Sequence, residues 1–473
     1  MLILFEQNDA PNHNMWLGNK HFGGTNVIQL SADLANRLNI NCTREVTLGV
    51  GIRKEKVRFE INASLGKKCI IRPDTITEIF LSRARQPLSI STIHHGNEFK
   101  IGPFLGILSG VPPFMLPKEI VSLYESIAES ASERGMICFF FTPDLINFEK
   151  ETVTGFKYSH KNWNVEEFPM PDTIYNQTGY ISEELRPFYS RLFLDYLKKK
   201  EEIKLVNPFL ALRDKIQNHD KLRGHMEAAN YLPNTQKCHS LEIVFDFLGK
   251  YGSVYLKPII SSLGMGVYKV TVNNSGEYTI EHHLSQSEKI KETIKDREKL
   301  SEVINKIIMG QPYLVQETVK LIHYQNKPVD FRIHLIKNMK REWKVLVINA
   351  RVGPEWGIIT GRNWGGCRFS AGEILLCVFT SEQSEEILNK MKEAVIQIAQ
   401  AIDEVHEIPF GELGFDIAVD EKMNIWMIEV NPKPNWSLPA GADKNLLEKK
   451  MAAHLLGYCR SLLKLSEPII VLP

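Results

Sequence analysis

The sequence lacks any stretch of about 20 uninterrupted apolar residues, which is the length that an α-helix needs to cross a bilayer. Its N-terminal segment, MLILFEQNDAPNHN, reaches acidic and amide residues after five positions and has neither the basic lead nor the long apolar core of a secretory signal. The sequence therefore predicts a cytoplasmic protein without a membrane partner.

Cysteine is scarce and scattered. Seven cysteines stand at positions 42, 69, 138, 238, 367, 377 and 459, an odd number without any Cys-x-x-Cys pair. This pattern indicates neither a disulfide framework nor a zinc site of common spacing. We expect reduced and mostly buried thiols.

The net charge is also close to zero. The 57 Lys and Arg residues nearly cancel the 56 Asp and Glu residues, which leaves a formal charge of +1. Composition thus gives no reason to expect nucleic acid or an anionic membrane as the main partner. The chain does have length, because 473 residues with 43% apolar content can fill the cores of about two to four domains.

The character of the chain changes near residue 100. Residues 1–99 carry short alternating runs such as EVTLGVGI and KVRFEINASL, which are typical of a small β-rich domain. Residues 100–205 open with an apolar run, a helical pattern that ends at Gly135, and a second apolar run, MICFFF. That order predicts a strand, a helix and a strand of the doubly wound kind.

After residue 205 the strand patterns crowd together. They are SVYLKPII, MGVYKVTV, YLVQETV, DFRIHLI and WKVLVINARV. Such crowding predicts a mainly antiparallel sheet. A helix interrupts it, opened by a capping box from Thr380 to Gln383 and followed by apolar residues at helical spacing.

The segments GELGFDIAVD and IWMIEVN predict two strands joined by a short turn. Asp416 on the first strand would then neighbour Glu429 and Asn431 on the second, and the latter two would project from one face. Three oxygen donors, two of them anionic, suit Mg²⁺, although a solvated sheet face is the alternative. Pro432 and Pro434 are expected to end the second strand.

A glycine-rich loop, IISSLGMGV, follows the strand that carries Lys257. Its serines and glycines would let backbone N–H groups approach phosphate oxygens. Since the loop joins two strands and no Gly-Lys-Ser/Thr follows, it matches neither the Rossmann fingerprint nor a P-loop. It fits a flap over a nucleotide with Lys257 on the phosphates. A tight hairpin with an outward lysine is the alternative.

Two further segments carry groups that can bind a nucleotide. The strand YLVQETV ends in Gln316 and Glu317, where its backbone could bind an adenine. Arg332 and Arg351 stand on later strands, and Asn363 lies in GRNWGG. A single strand arginine is usually an exposed cross-strand partner, but several on one sheet can stabilise phosphoryl oxygens.

In this order the segments resemble the ATP-grasp superfamily, most closely its YheC/YheD branch of endospore coat-associated proteins. The resemblance rests on YLKPIISSLGMGV, YLVQETV, DFRIH, GRNWGG, GELGFDIAVD and IWMIEVNPKP, within roughly residues 205–465. It implies an α/β (α+β) fold with two antiparallel ATP-grasp lobes at residues 206–315 and 316–473. Residues 100–205 would form a Rossmann-like domain that precedes them, and residues 1–99 a β-rich domain.

The resemblance also implies a site for ATP and Mg²⁺. Residues implied for ATP are Lys215, Lys257, Ser261, Ser262, Gly264, Gly266, Gln316, Glu317, Thr318 and Val319; those for Mg²⁺ are Asp416, Glu429 and Asn431; those for catalysis are Arg332, Arg351 and Asn363. Lys221 shares the Asp-Lys dipeptide of Lys215 and is the alternative phosphate lysine.

The implied activity is an ADP-forming ligase that joins a carboxylate to an amine through an acyl phosphate, linked to spore coat formation. Its acceptor would be a small molecule, a peptide or a protein, and coat proteins would be partners. An ATP-dependent phosphotransferase is one alternative, and a coat-associated structural protein that binds ATP without turnover is another. The His-Arg-Asp and Asp-Phe-Gly motifs of protein kinases are absent from the sequence.

Overall fold

The computed structural model of the protein describes residues 2–5, 27–65, 68–71, 88–93, 98–179, 182–208, 212, 214–261, 264–285, 288–355, 357–361, 364–406, 408–434, 438–439 and 441–471. The chain forms two compact units. The first unit is Met1–Asn207, Asn338–Arg341 and Asn445–Pro473, and the second unit is Pro208–Lys337 and Glu342–Lys444. The finer division into the four expected domains stays a prediction.

The first unit contains two sheets and the helices that cover them. Its strands are β1 (Leu2–Phe5), β2 (Val27–Leu30), β3 (Arg44–Val50), β4 (Arg53–Ile61), β5 (Lys68–Ile71), β6 (Leu88–Ile93), β7 (Glu98–Ile101), β8 (Phe104–Leu108), β9 (Ile137–Phe141), β10 (Ile146–Asn147), β11 (Thr152–Ser159), β12 (Asn162–Pro169), β13 (Thr173–Asn176), β14 (Lys204–Val206) and β27 (Ile469–Val471). Its α-helices are α1 (Ala32–Arg37), α2 (Lys118–Glu133), α3 (Arg186–Ser190) and α10 (Lys444–Leu462).

One sheet of the first unit has the order β1-β5-β2-β4-β3-β7-β6-β27, and the other has the order β10-β11-β9-β8-β13-β14 with β12 on β11. β8 is parallel to both β9 and β13. Every residue of β8 and β9 is buried, as expected of parallel strands with both faces covered. Helix α2 connects β8 to β9 and ends just before Gly135, so the predicted strand, helix and strand are confirmed.

The second unit also contains two sheets. Its strands are β15 (Thr235–Cys238), β16 (Ser253–Pro258), β17 (Tyr268–Val272), β18 (Tyr278–His283), β19 (Lys289–Ile294), β20 (Tyr313–Glu317), β21 (His323–Tyr324), β22 (Lys327–Lys337), β23 (Trp343–Val352), β24 (Cys367–Ser370), β25 (Glu412–Val419) and β26 (Ile425–Asn431). Its α-helices are α4 (Lys215–Arg223), α5 (Met226–Ala229), α6 (Leu241–Tyr251), α7 (Arg297–Met309), α8 (Ala371–Val378) and α9 (Ser381–His406).

The strand order is β15-β20-β16-β17-β18-β19 in one sheet, named here the β16 sheet. The other, named the β25 sheet, has the order β24-β23-β22-β25-β26, with β21 on β22. All strand pairs in both sheets are antiparallel, which confirms the predicted sheet type. The fold as a whole mixes helices and strands, as the predicted α/β (α+β) class requires.

Helix α9 covers the apolar face of the β25 sheet. Its Ile387, Met391 and Ile398 share one core with Phe331 and Phe415 of the sheet. The predicted capping box opens this helix, since Thr380 N donates to Gln383 Oε1 at 3.2 Å and Gln383 N donates to Thr380 Oγ1 at 3.3 Å.

Six of the described cysteines are free thiols. Three are buried, Cys138, Cys238 and Cys459, but three are exposed, Cys42, Cys367 and Cys377. The prediction of burial is wrong for the exposed ones because they occupy a loop, the edge strand β24 and the outer face of α8. Among the described residues, no helix is long and apolar enough to cross a membrane.

Candidate functional site

The β25 sheet has a polar face opposite α9. Along β22 the side chains of Phe331 and Ile333 enter the core, so Asp330 and Arg332 project to the other face. Arg332 lies directly opposite Asp416 of β25. Alternation along neighbouring strands therefore gathers charged side chains on one side of a sheet whose other side is core.

The predicted metal ligands also lie on this polar face. β25 and β26 form the predicted strand pair, in which Asp416 is opposite Glu429 and Gly414 is opposite Asn431. Residues two apart project from the same face, so these oxygen-bearing side chains occupy adjacent positions.

A β-bulge brings Glu429 to this face. Ile417 pairs with Met427, which leaves Ile428 as an extra residue between the two registers. Strict alternation would place Glu429 on the core face with Met427, but after the bulge it is Val430 that enters the core. Bulges commonly re-aim side chains beside active sites, and the sequence pattern did not reveal this one.

Asp416 is held between two arginines. Its Oδ1 lies 2.7 Å from Arg332 Nη1, and its Oδ2 lies 3.1 Å from Arg351 Nη2. Arg351 is fixed in turn by Asp330, whose Oδ1 accepts from Arg351 Nε at 2.6 Å. Burial by itself would raise the pKa of Asp416, but the Arg332 and Arg351 guanidinium groups hold it below its usual value. Asp416 is therefore an anion despite being only 8% exposed.

His334 also projects to the polar face but remains uncharged. Burial, with the nearby Arg332 and Arg368, lowers its pKa to about 3. Charge on this face consequently comes from the arginines and carboxylates at any working pH.

The chain after β26 packs closely on the sheet. β26 ends at Asn431, as predicted from the prolines that follow. A Cβ added at Gly414 would lie 2.5 Å from Pro434 Cβ, so a glycine is needed where the proline crosses β25.

A pocket lies between α4, the β16 sheet and β26. It is lined by Leu212, Lys215, Asn218, His219, Leu222, Thr235, Lys257, Leu314, Gln316 and residues 427–430. The predicted phosphate lysines and Glu429 therefore share one pocket with a largely apolar wall.

Lys215 reaches the pocket from the first turn of α4. Asp214 caps this helix by accepting from Gln217 N at 2.9 Å. Lys215 Nζ donates to Ser261 Oγ at 3.1 Å and lies 3.5 Å from Glu429 Oε1. The alternative phosphate lysine, Lys221, is exposed on the same helix and does not line the pocket.

Lys257 is half-buried on β16 and donates to Gln316 Oε1 at 2.5 Å. Burial and the nearby Lys215 lower its pKa to about 8, although Glu429 and Asp416 act in the opposite direction. An anion placed between the two lysines would relieve their mutual repulsion.

The predicted adenine hinge begins at Gln316. Gln316 bridges Lys257 to Thr235, since its Nε2 donates to Thr235 Oγ1 at 2.9 Å. Glu317 accepts from Asn234 N at 2.8 Å and from Asn234 Nδ2 at 3.1 Å, so its carboxylate fixes the segment before β15.

The two hinge residues that follow, Thr318 and Val319, are half-buried. Thr318 N donates to Ser253 O at 3.1 Å. Binding of adenine by this segment stays a prediction.

The predicted phosphate loop starts at Ser261 beside Lys215, and its Gly264 lies against Ile359 and Trp364. Gly264 and Gly266 have φ values of +73° and +71°. A Cβ added at Gly264 would lie 2.9 Å from Trp364 Nε1. Both the positive φ and this close contact therefore favour a glycine at the position. Ser262 and Asn363 lie outside the described residues, and their roles stay predictions.

Sequence reasoning missed several pocket residues. Asn218 and His219 stand one turn after Lys215 on α4, and Thr235 lies on the strand beside Gln316. The i, i+3 and i, i+4 spacing from Lys215 is a signal that could have identified the first two. Thr235 has no such local signal.

The oxygen donors fit Mg²⁺ by their chemistry. Asp416 and Glu429 are carboxylates and Asn431 is an amide, a hard-donor set in which Mg²⁺ keeps positions for water and phosphate. Glu429 is 32% exposed, so its oxygens are accessible from the pocket. Among the described residues, no cluster of three or more His, Cys, Asp or Glu side chains could hold a metal ion.

Comparison with known proteins agrees with the segments named above. The family model described as YheC/D like ATP-grasp matches residues 202–462. Endospore coat-associated protein YheD of Bacillus subtilis (strain 168) is 26% identical over 349 residues, 73% of this chain and 75% of that protein. Endospore coat-associated protein YheC of the same strain is 24% identical over 310 residues, 65% of this chain and 83% of that protein.

A solved structure of the ATP-grasp ligase PsnB, complexed with a phosphomimetic variant of a minimal precursor, Mg and ADP, is 15% identical. It covers 74% of this chain and 98% of that one with a TM-score of 0.44.

The family match spans more than half of the chain and includes both sheets of the second unit. The protein is therefore of the ATP-grasp class. Within that class the chain belongs to the YheC/D-like ATP-grasp family.

Proposed function

We propose that the protein is an ATP-dependent, ADP-forming ligase that joins a carboxylate to an amine through an acyl phosphate. The observation that carries the proposal is the pocket shared by Lys215, Lys257 and Glu429. Its apolar wall suits a nucleobase, and its two ammonium groups suit phosphates. Membership in the ATP-grasp family supports the same ligand.

The two lysines would bind the ATP phosphates from positions that neighbouring side chains already hold in the pocket. Lys215 is already held by Ser261 and Glu429, and Lys257 by Gln316. Side chains positioned in advance lose less conformational freedom on binding. The loop after Lys257 would close over the phosphates, and Gln316–Val319 would meet the adenine.

A carboxylate reacts poorly with an amine, so the proposed reaction first converts it to an acyl phosphate. A carboxylate oxygen attacks the γ-phosphorus, the bond to the β-phosphate oxygen breaks, and ADP leaves. The amine then attacks the acyl carbon, inorganic phosphate leaves, and the amine loses a proton. Arg332 and Arg351, both bound to Asp416, would stabilise the charge that develops on the phosphoryl oxygens.

Asp416, Glu429 and Asn431 would hold Mg²⁺, which supplies charge neutralisation on the phosphates when it is bound. The register of β25 and β26, with Asp416 opposite Glu429 and Gly414 opposite Asn431, supports this assignment. Glu429 would exchange its contact with Lys215 for the cation as Lys215 turns to phosphate.

The acceptor is proposed to belong to the spore coat. YheC and YheD carry the name of endospore coat-associated proteins, and this chain is similar to both over most of its length. A small molecule, a peptide or a coat protein can each supply a carboxylate or an amine.

The proposal is tested by incubating the purified protein with ATP, Mg²⁺ and pools of amino acids and peptides. We expect ADP and free phosphate to be released together, and only when the correct acceptor is present. Glu429→Gln should abolish this release, while Glu421→Gln, in the exposed turn between β25 and β26, should keep it.

Other outcomes identify other functions. ADP release with phosphate retained on the acceptor would indicate a phosphotransferase. Nucleotide binding without turnover in any pool would indicate a structural coat protein. Unchanged nucleotide binding and turnover in Glu429→Gln would refute the metal assignment.

A further inference from the structure

A buried amide in the pocket has an unmet hydrogen-bonding group. Asn218 is 5% exposed and lines the pocket. Within the described part of the chain, no group donates a hydrogen bond to its Oδ1. Because a buried acceptor without a donor is costly, a ligand that brings an N–H to this point would be favoured.

Neighbouring contacts hold Asn218 in place. Its backbone N donates to Asp214 O at 3.1 Å, within the capped first turn of α4. The next residue, His219, is bonded through Nε2 to Pro233 O at 3.1 Å. The Oδ1 of Asn218 therefore belongs to a helical turn that hydrogen bonds hold in place at both Asn218 and His219.

The remaining lining indicates the class of ligand. Leu212, Leu222 and Leu314 provide apolar surface beside Asn218, which suits a flat heteroaromatic base. Lys215 and Lys257 in the same lining suit the phosphates attached to such a base. The ligand group that reaches Asn218 would then be the polar edge of the base.

Bases differ in what that edge offers. Adenine carries an exocyclic amino group, which donates, whereas guanine carries a carbonyl oxygen at the corresponding position, which accepts. Hypoxanthine carries the same carbonyl as guanine and lacks guanine's amino group, but unlike adenine it also carries a hydrogen on N1. An acceptor oxygen pairs with the amino group and faces the carbonyl unfavourably.

We propose that Asn218 selects adenine by accepting a hydrogen bond from its exocyclic amino group. This inference rests on the proposed function, because it requires a nucleotide in the pocket. It adds a side chain that determines base specificity, separate from the two lysines and from the proposed hinge Gln316–Val319.

The test compares the binding of ATP and ITP by calorimetry in the wild-type protein and three variants. Asn218→Leu removes the acceptor at similar volume, and Gln217→Leu makes the same change at an exposed amide of α4. We expect the wild-type protein to prefer ATP by about tenfold, the value of one hydrogen bond to a buried group. Asn218→Leu should lose that preference through weaker ATP binding, and Gln217→Leu should keep it.

A wild-type preference that persists in folded Asn218→Leu overturns the proposal. Asn218→Asp keeps an acceptor oxygen and should retain the preference, so its loss there would also overturn the proposal, even if the leucine variant does not fold. Wild-type protein that binds ATP and ITP equally refutes the role of Asn218 but leaves the proposed ligase standing. Wild-type protein that binds neither nucleotide refutes both.

Discussion

At the scale of single residues, the charge of Lys257 depends on its surroundings. Burial and the nearby Lys215 destabilise its ammonium form and lower its pKa to about 8. A phosphate bound between the two lysines would favour the charged form again. The residue is therefore poised to gain a proton when an anion binds.

This coupling predicts a pH dependence for ATP binding. Lys257 carries its charge below pH 8 and loses it as the pH rises through about 8. We expect the ATP affinity to be level below that value and to fall above it, by up to about tenfold per pH unit. Calorimetric titrations from neutral to alkaline pH measure this. Lys257→Arg keeps its charge and should show a weaker dependence, and an equally steep fall in that variant would contradict the assignment.

Asp416 and Glu429 are expected to contribute differently to the free energy of unfolding. Asp416 is buried between two arginines, so Asp416→Asn leaves guanidinium charge uncompensated and should lower the free energy of unfolding by about 3 kcal/mol. Glu429 is 32% exposed, and Glu429→Gln should cost less than about 1 kcal/mol. Chemical denaturation of both variants tests this, and equal losses would refute it.

Some residues of the candidate site could be predicted from the sequence and others could not. Asp416, Glu429 and Asn431 could be placed together because a short turn joins their strands. The hydrogen bonds from Lys257 through Gln316 to Thr235 could not be predicted, because they join strands that become neighbours only when the β16 sheet forms. Asn218 was missed although it stands three residues after Lys215 on α4, because that spacing points to the pocket only if Lys215 is already assigned to it.

At the scale of elements, the bulge in β26 determines which side chains reach the pocket. Without the extra residue Ile428, alternation would direct Glu429 into the core. The strand itself was predictable from its apolar run and the prolines after it. The bulge was not, because it depends on how β26 pairs with β25.

The crossing of Pro434 over β25 gives an element-scale prediction. Gly414→Ala would place its Cβ 2.5 Å from Pro434 Cβ and should lower stability by about 1–3 kcal/mol as the strand end is displaced. Gly249→Ala is the control, because nothing lies within 4 Å of its added Cβ and helix propensity should make it slightly stabilising. Thermal unfolding of both variants measures the contrast. A neutral Gly414→Ala would mean that Pro434 does not pack there.

At the scale of the whole molecule, the chain returns to its first unit at the end. β27 pairs with β6, and Glu448 of α10 accepts from Ser122 Oγ at 2.9 Å. The order of the segments and the antiparallel strand type could be predicted from the sequence, because alternation and turns are local features. The sequence could not predict that α10 and β27 join the first unit, because this depends on pairing between residues far apart in the chain.

The central claim concerns the protein as an enzyme, and the mass of a product formed in cell extract tests it most directly. Extract is incubated with ATP, Mg²⁺ and either wild-type protein or Glu429→Gln, and new species are identified by mass spectrometry. The account predicts an ATP-dependent species whose mass equals two extract components minus one water, present with the wild-type protein and absent with the variant. A species that has gained only a phosphoryl group, or identical spectra from the two proteins, would contradict it.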